Sequence, residues 1–200
     1  MIELREIRSD LNLNRSIIDG ITRLHVSELS YSLSSSRGKK TVSDLYIRLL
    51  RNEGSIVLAM DKLEIVGVLS YTLNREKIAS IRTTLLRSQT WLRSLVKKRP
   101  IRFTREVVDA YHVSRSVQNF DSQMLYVTTL FVEKSKQNKG IASLMFDVVK
   151  KQSEMFKIPV VVDTRTKIST AVKFYERQGM YVHAQTSMSV VYMRNFGEKS

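Results

Sequence analysis

The richest concentration of chemistry-bearing residues in this chain lies in segment 130–143. An apolar run that ends at Val132 predicts a buried strand, a basic loop with one glycine follows, and Ile141 opens an amphipathic helix. The first N–H groups of a helix have no partner within it, and the helix dipole places partial positive charge there. Three lysines add full charges: Lys134, Lys136 and Lys139. This junction therefore predicts a site for a phosphate or pyrophosphate.

The composition restricts the partners. Across 200 residues the formal net charge is +14 at pH 7, which predicts anionic partners such as nucleotides, phosphorylated small molecules, nucleic acid or an anionic membrane face. No recognisable nucleic-acid-binding motif accompanies the charge, so nucleic acid is disfavoured. The chain has no cysteine, which excludes disulfides and thiolate metal sites, and we expect no metal cofactor.

The chain lacks the features of exported or membrane-spanning proteins. Residues 1–6 do not show the basic-then-apolar layout of a signal peptide. No apolar run approaches the length needed to span a bilayer. We therefore expect a cytoplasmic protein.

The elements that position segment 130–143 follow from hydrophobic periodicity. Strands are predicted at 2–8, 55–60, 64–73, 123–132, 159–162, 181–184 and 187–194. Helices are predicted at 14–30, 41–52, 141–155 and 169–178. Ser169 is the predicted N-cap of the last helix, and Gly179 is its C-terminal glycine. The order β-α-α-β-β-insert-β-α-β-α-β-β predicts a mixed α/β sheet with helices on both faces.

Segment 75–122 is predicted to be a basic helical insert within a single domain that spans 1–200. From Lys77 to Arg105 there are nine basic residues and no acidic one. Helices are predicted at 78–95 and 104–111, separated by Pro100. The charge favours an anionic ligand, whereas a charged lid or an oligomer contact without a ligand is the alternative reading. A homodimer is left open.

Two segments together resemble the GCN5-related N-acetyltransferases (GNAT). Segment 132–142 resembles that family's acyl-CoA-binding motif, whose loop reads Gln/Arg-x-x-Gly-x-Gly/Ala. About forty residues on, segment 171–180 is similar to the second signature, Ala-x-x-Phe-Tyr-Glu-x-x-Gly-Phe. The resemblance implies the acyl-CoA N-acyltransferase fold: a mixed, mostly antiparallel central sheet flanked by helices, with the insert before the central strand.

The chain departs from the family pattern in the loop and before the last helix. Lys134 stands where a proline is common, and Gln137 and Ala142 are permitted variants. Lys167-Ile168 replaces a usual asparagine, which puts in doubt one hydrogen bond to the pantetheine arm or the substrate.

The resemblance implies acetyl-CoA as cosubstrate. The loop backbone would hold its pyrophosphate, and a Cβ at Gly140 would crowd the phosphate or strain the backbone. The central strand would pair with the pantetheine amides where two strands splay apart, lined by Val132 and Val162. The predicted cofactor-binding residues are Leu130, Phe131, Val132, Gln137, Asn138, Lys139, Gly140, Ile141, Ala142, Ser143, Thr170 and Phe174.

The resemblance also implies that Tyr175 protonates the leaving thiolate as a general acid. The reaction would be direct attack by the amine, since no cysteine exists to carry the acetyl group. The amide N–H of Leu130 or a neighbour would polarise the thioester oxygen.

The general base remains open, because the central strand carries no carboxylate. The further catalytic candidates are Thr129 and His112. Thr128 with Thr129 could order a water, and His25, His112 and Asp121 are the titratable alternatives. His183, on a closing strand, is disfavoured.

We expect an N-acetyltransferase that moves an acetyl group from acetyl-CoA to a primary amine of a small molecule. The acceptor is expected to be anionic or nucleotide-linked, such as an amino sugar for surface polysaccharide. Pieces of the N-terminal half resemble a subgroup associated with such gene clusters: Leu24-His25, Leu45-Tyr46 and Ile65-Val66-Gly67. The alternatives are a protein or peptide acetyltransferase, or a non-catalytic CoA- or nucleic-acid-binding module.

Overall fold

The computed structural model describes residues 1–29, 35, 38–73, 108, 109, 111–113, 115–117 and 123–197. Most of the predicted insert 75–122, including its first predicted helix, lies outside these residues. The described residues between 108 and 117 are all helical.

The described elements follow the predicted order. They are β1 (Ile2–Ile7), α1 (Arg15–Glu28), α2 (Lys39–Arg51), β2 (Gly54–Asp61), β3 (Glu64–Thr72), β4 (Leu125–Val132), α3 (Ile141–Phe156), β5 (Val160–Arg165), α4 (Ser169–Arg177), β6 (Tyr181–Gln185) and β7 (Ser189–Arg194). Two single 3-10 turns, at Asp10–Asn12 and Lys134–Lys136, were not predicted.

The strands form one seven-stranded sheet in the order β1-β2-β3-β4-β5-β7-β6. In this sheet β4 and β5 pair in parallel, while every other neighbouring pair is antiparallel. The predicted mixed, mostly antiparallel α/β sheet is confirmed. A parallel pair needs a crossover, and α3 supplies it.

Helices cover both faces of the sheet because each has one apolar stripe. On α3 the buried residues Ile141, Met145 and Val149 recur every four positions, and they pack with the strands in one cluster that also holds Tyr175 of α4. We call this side the α3 face. On the opposite side, the α1 face, α1 and α2 pack over β2 and β3, and Val113 packs over Tyr126 of β4.

The predicted cap of the last helix is wrong by one residue. Ile168 holds the N-cap position, its carbonyl accepts from the Ala171 and Val172 amides at 3.0 and 3.1 Å, and Ser169 is the first helical residue. The predicted glycine at the C-terminus is confirmed, since Gly179 has a φ of 74°.

Candidate active site

The parallel ladder between β4 and β5 ends partway along both strands. Leu125–Val127 pairs with Val160–Val162 and no further rung follows. Beyond that point β4 stays paired with β3 as far as Val132, and β5 stays paired with β7 as far as Arg165. The two strands therefore leave a gap between them in the middle of the sheet.

A β-bulge in β4 lies at the closed end of this gap. Ser70 of β3 is opposite Thr129, and Tyr71 is opposite Val127, so Thr128 has no partner residue on β3. A bulge bends its strand and re-aims the side chains beside it. The bend falls where β4 parts from β5.

Backbone groups of β4 line the gap. The Glu133 amide donates to the Val66 carbonyl of β3 at 2.8 Å, and the two polar groups of a peptide point in opposite directions. The Val132 carbonyl therefore faces the gap, where the Gln137 Nε2 donates to it at 2.9 Å. By alternation, the polar backbone groups of Leu130 face the gap as well.

By the same alternation along the strand, the backbone groups of Phe131 face β3 rather than the gap. Its ring packs against His25 on the α1 face, with the ring centroids 5.4 Å apart. Of the three predicted β4 residues, only Leu130 and Val132 thus turn their backbone groups to the gap.

The N-terminus of α3 is held open by backbone conformation alone. Gly140 is the N-cap with φ 76° and ψ −2°, and no side chain caps the helix. Asn138 also has a positive φ of 62°. A Cβ on Gly140 would meet nothing within 4 Å, so the requirement for glycine is conformational rather than steric. The first-turn amides are left facing outward.

One of the three loop lysines is already neutralised. Lys136 Nζ lies 2.6 Å from Asp61 Oδ2. The ammonium lowers the pKa of Asp61, and the carboxylate raises that of Lys136. Lys134 and Lys139 are exposed, so they remain as the loop's available cations.

A buried glutamine joins α4 to the start of α3. Gln178, 8% exposed, donates from Nε2 to the Ser143 hydroxyl at 3.1 Å and accepts from Lys150 at 3.1 Å. Sequence reasoning named Ser143 for its amide but missed this contact. It fixes α4 against the helix that carries the predicted anion site.

Tyr175 lies within an aromatic group on the α3 face. It is 5% exposed, and its ring centroid lies 5.2 Å from Phe174, 6.0 Å from Phe146 and 5.9 Å from Tyr192. Tyr192 is the β7 partner of Val162, the last β5 residue paired with β4. The ring is thus held beside the end of the ladder. Thr170, one turn earlier on α4, is exposed.

A buried chain of polar side chains lies on the α1 face. His25 Nδ1 is 2.8 Å from the Tyr46 hydroxyl, which lies 3.5 Å from Thr129 Oγ1. Ser70 Oγ is 2.5 Å from Thr129 Oγ1 and 2.6 Å from Thr128 Oγ1. Burial lowers the pKa of His25 to about 4, so the imidazole is uncharged at neutral pH. Burial also raises the pKa of Tyr46.

A second polar group on the α1 face lies on β5 just beyond the end of the β4–β5 ladder, and sequence reasoning missed it. The hydroxyl of Tyr126, a buried residue of β4, donates to Asp163 Oδ1. Asp163 follows Val162 directly and is half-buried. A charged residue that breaks the apolar run of β5 was the available signal.

Asp109 fastens the helical residues 108–117 to the same end of the sheet. It is 7% exposed and accepts hydrogen bonds from Thr186, in the turn after β6, and from Ser189 at 2.7 Å. The Arg165 guanidinium lies 3.7 Å from the same carboxylate. The insert thus contributes one buried anchor on the α1 face.

The remaining predicted catalytic groups lie on the surface or outside the described residues. His112 is exposed, and its ring packs against Tyr111 with centroids 5.8 Å apart. His183 is exposed on β6, and Asp121 lies outside the described residues.

A groove of about 940 Å³ between α1 and α2 is distinct from the gap. Its walls come from residues 15–23 and 39–44 of the two helices, with none from β4 or β5. The described residues bring no three His, Asp or Glu side chains together as metal ligands. Of the described helices, none is both long and apolar enough to cross a membrane.

The acetyltransferase (GNAT) domain family matches residues 112–189, which contain both segments that carry the sequence resemblance. Over this segment the chain is therefore similar to the GNAT acetyltransferases. The search of curated proteins found no match.

Solved structures share the fold of the described residues. A GNAT acetyltransferase from Staphylococcus aureus Mu50 has 16% identity and a TM-score of 0.60, covering 98% of this chain and 99% of that one. The PaiA N-acetyltransferase of Thermoplasma acidophilum, solved with coenzyme A, has 9% identity and a TM-score of 0.61, covering 98% and 99%. The Escherichia coli ribosomal-protein-S18-alanine N-acetyltransferase has 7% identity and a TM-score of 0.59, covering 100% and 97%.

Proposed function

We propose that this GNAT protein transfers an acetyl group from acetyl-CoA to the primary amine of a small molecule by direct attack. The gap between β4 and β5 carries the proposal. It runs from the uncapped N-terminus of α3 to the aromatic group around Tyr175, so one extended cofactor would reach both. A structural neighbour solved with coenzyme A supports this cofactor.

Two described features suit two parts of acetyl-CoA. The outward amides of Ile141, Ala142 and Ser143, with Lys139 beside them, suit the pyrophosphate. The backbone groups of Leu130 would pair with the pantetheine amides in the manner of an added strand. Gln137 would hold the Val132 carbonyl at the mouth of the gap.

The thioester would lie at the closed end of the gap. There the Leu130 amide would donate to the developing oxyanion. Tyr175, on the α3 face, would give its proton to the departing thiolate. The chain has no cysteine, so the acetyl group passes to the amine without an acyl-enzyme intermediate on sulfur.

The acceptor is a primary amine that approaches from the α1 face. The basic stretch 77–105 supports an anionic acceptor such as a nucleotide-linked amino sugar, and we place the activity in the cytoplasm. A peptide amine is the competing acceptor, because the E. coli neighbour is named for acetylating an alanine of a ribosomal protein.

Binding and turnover test the proposal separately. Titration calorimetry with acetyl-CoA should show a single site, and acetyl-CoA at about 100 times its Kd should stabilise the fold by about 2.7 kcal/mol. Release of CoA can be followed with a thiol reagent, because the protein contributes no thiol of its own.

The amine panel should include a nucleotide-linked amino sugar, glucosamine, spermidine, single amino acids and short peptides. Turnover of the sugars alone supports the small-molecule acceptor, and turnover of peptides alone replaces it. No binding of acetyl-CoA would sink the proposed function.

A further inference from the structure

The reaction needs a group that takes a proton from the acceptor, and β4 carries no carboxylate. The first β5 residue beyond the ladder, Asp163, does carry a carboxylate. Val127 and Val162 form the last rung, so Asp163 lies across the gap from the bulge at Thr128.

The Asp163 carboxylate lies on the α1 face. Its β7 partner is Val191, which packs with Tyr126 and Val161 in the cluster on that face. The Tyr126 hydroxyl donates to Asp163 Oδ1, and Tyr126 is 1% exposed. A buried tyrosine therefore holds a half-buried carboxylate in one orientation at the closed end of the gap.

Tyr175 lies on the other face at the same level of the sheet. Its neighbour Tyr192 pairs with Val162, and adjacent residues of a strand direct their side chains to opposite faces. A thioester at the end of the ladder would have a phenol on its α3 face and a carboxylate on its α1 face. Acid and base would not compete for one position.

We propose that Asp163 is the general base for the acceptor amine and that Tyr126 is its positioning residue. The inference rests on the proposed function and names the residue that the sequence left open. The ammonium first loses one proton, and the free amine forms a bond from nitrogen to the acetyl carbon while the C=O π electrons move to oxygen. That first proton goes to solvent, and Asp163 takes the remaining excess proton from nitrogen. The oxyanion then re-forms the C=O bond as the C–S bond breaks, the thiolate receives the proton of Tyr175, and solvent restores the protonation of Tyr175 and Asp163.

The other described candidates fit this role less well. His25 is 1% exposed, and its hydrogen-bonded link to Thr129 runs through the Tyr46 hydroxyl. Thr128 and Thr129 can orient a water or an amine, but a neutral hydroxyl is too weak a base to take up a proton at neutral pH. Asp109 already accepts from Thr186 and Ser189.

The test compares Asp163→Asn with wild type and with Asp147→Asn, a matched change of a half-exposed carboxylate on α3. The probe is the panel amine that the wild-type protein acetylates fastest. We expect Asp163→Asn to lower kcat by about 100-fold or more while the Kd for acetyl-CoA stays unchanged. Asp147→Asn should behave as wild type.

Chemical rescue separates a base from a structural residue. Asp163→Ala should recover turnover as formate is added, because formate can occupy the space of the lost carboxylate. Tyr126→Phe keeps the carboxylate but removes its donor, and it should lower kcat by about 10-fold with little change in KM.

Two results would overturn this inference but leave the proposed function standing. The first is an active wild type together with an Asp163→Asn variant whose kcat lies within about threefold of the wild-type value. The second is an Asp163→Ala variant that folds and binds acetyl-CoA but is not rescued by formate. A wild type that binds no acetyl-CoA or acetylates no panel amine overturns the proposed function, and this inference with it.

Discussion

The two faces of the sheet at the end of the β4–β5 ladder are stabilised in different ways. On the α3 face, ring packing holds Tyr175 among Phe146, Phe174 and Tyr192. On the α1 face, hydrogen bonds join polar side chains in sequence, from His25 through Tyr46 to Thr129. Removing one polar atom leaves the ring packing intact, whereas removing one group from the buried series of hydrogen bonds leaves its neighbour without a partner.

Because of this difference, effects of a substitution on catalysis can be separated from its effects on stability on one face but not on the other. On the α3 face a hydroxyl can be removed while the ring that positions it stays in place. On the α1 face any deletion leaves a buried donor or acceptor unpaired, so function and folding change together. Variants on the α3 face therefore report on mechanism more directly.

The largest expected effect is on the α3 face. Tyr175→Phe keeps the packed ring and removes the proposed acid. Turnover should fall by about 100-fold or more, because a positioned acid contributes that much, while calorimetry should show unchanged acetyl-CoA binding. Tyr181→Phe, on the exposed strand β6, is the matched control. Unchanged turnover in Tyr175→Phe would remove the tyrosine from the mechanism.

The next effect concerns stability on the α1 face. His25 has a pKa of about 4 in the folded protein and an ordinary value near 6.5 when unfolded. The unfolded chain therefore binds more protons between these values, and the free energy of unfolding should fall as the pH drops from about 6.5 to 4, by up to about 3 kcal/mol. Above pH 6.5 this contribution is fully present.

His25→Gln tests that pH dependence by chemical denaturation from pH 4 to 8. The variant should be less stable than wild type at pH 7, and the difference should shrink as the pH falls. His183→Gln, an exposed histidine on β6, should leave the profile unchanged. Parallel curves for wild type and His25→Gln would show that the α1 face holds no uncharged buried imidazole.

The smallest expected effect tests the backbone at α3. Gly140→Ala places a Cβ at a φ of 76° and should destabilise the fold by about 1–2 kcal/mol. Gly38→Ala is a close control, because Gly38 is the N-cap of α2 with a φ of 90°. Both should lower stability similarly in thermal unfolding, but only Gly140→Ala should also weaken acetyl-CoA binding. Equal acetyl-CoA affinity in the two variants would contradict the assignment of the α3 N-terminus to the pyrophosphate.

Local patterns along the chain predicted the elements well. Alternating apolar residues and apolar residues at helical spacing indicated the seven strands and the helices α1 to α4 among the described residues, and the order of these elements predicted a mixed sheet. The corrections are local. The cap at Ile168 uses only its backbone carbonyl, and the 3-10 turn at Lys134–Lys136 has no side-chain signature, so neither could be read from residue types.

Local patterns of this kind could not predict contacts between segments that are distant in the sequence. Lys136 was counted as a free cation, but the hairpin between β2 and β3 brings Asp61 to it. Asp163 was passed over because it lies 35 residues from Thr128, and only the parallel pairing of β4 with β5 places the two across one gap.

By itself, the sequence determined the resemblance to the GNAT family, the order of the elements along the chain and the loop that presents amides to an anion, because these depend on local spacing and on two short motifs. Only the tertiary structure decided where the central ladder ends, which lysines stay available, and which side chains meet there. Those outcomes depend on register and on which residue of a neighbouring strand lies opposite. That is why segment 130–143 indicated the cofactor, while the proposed base came from β5.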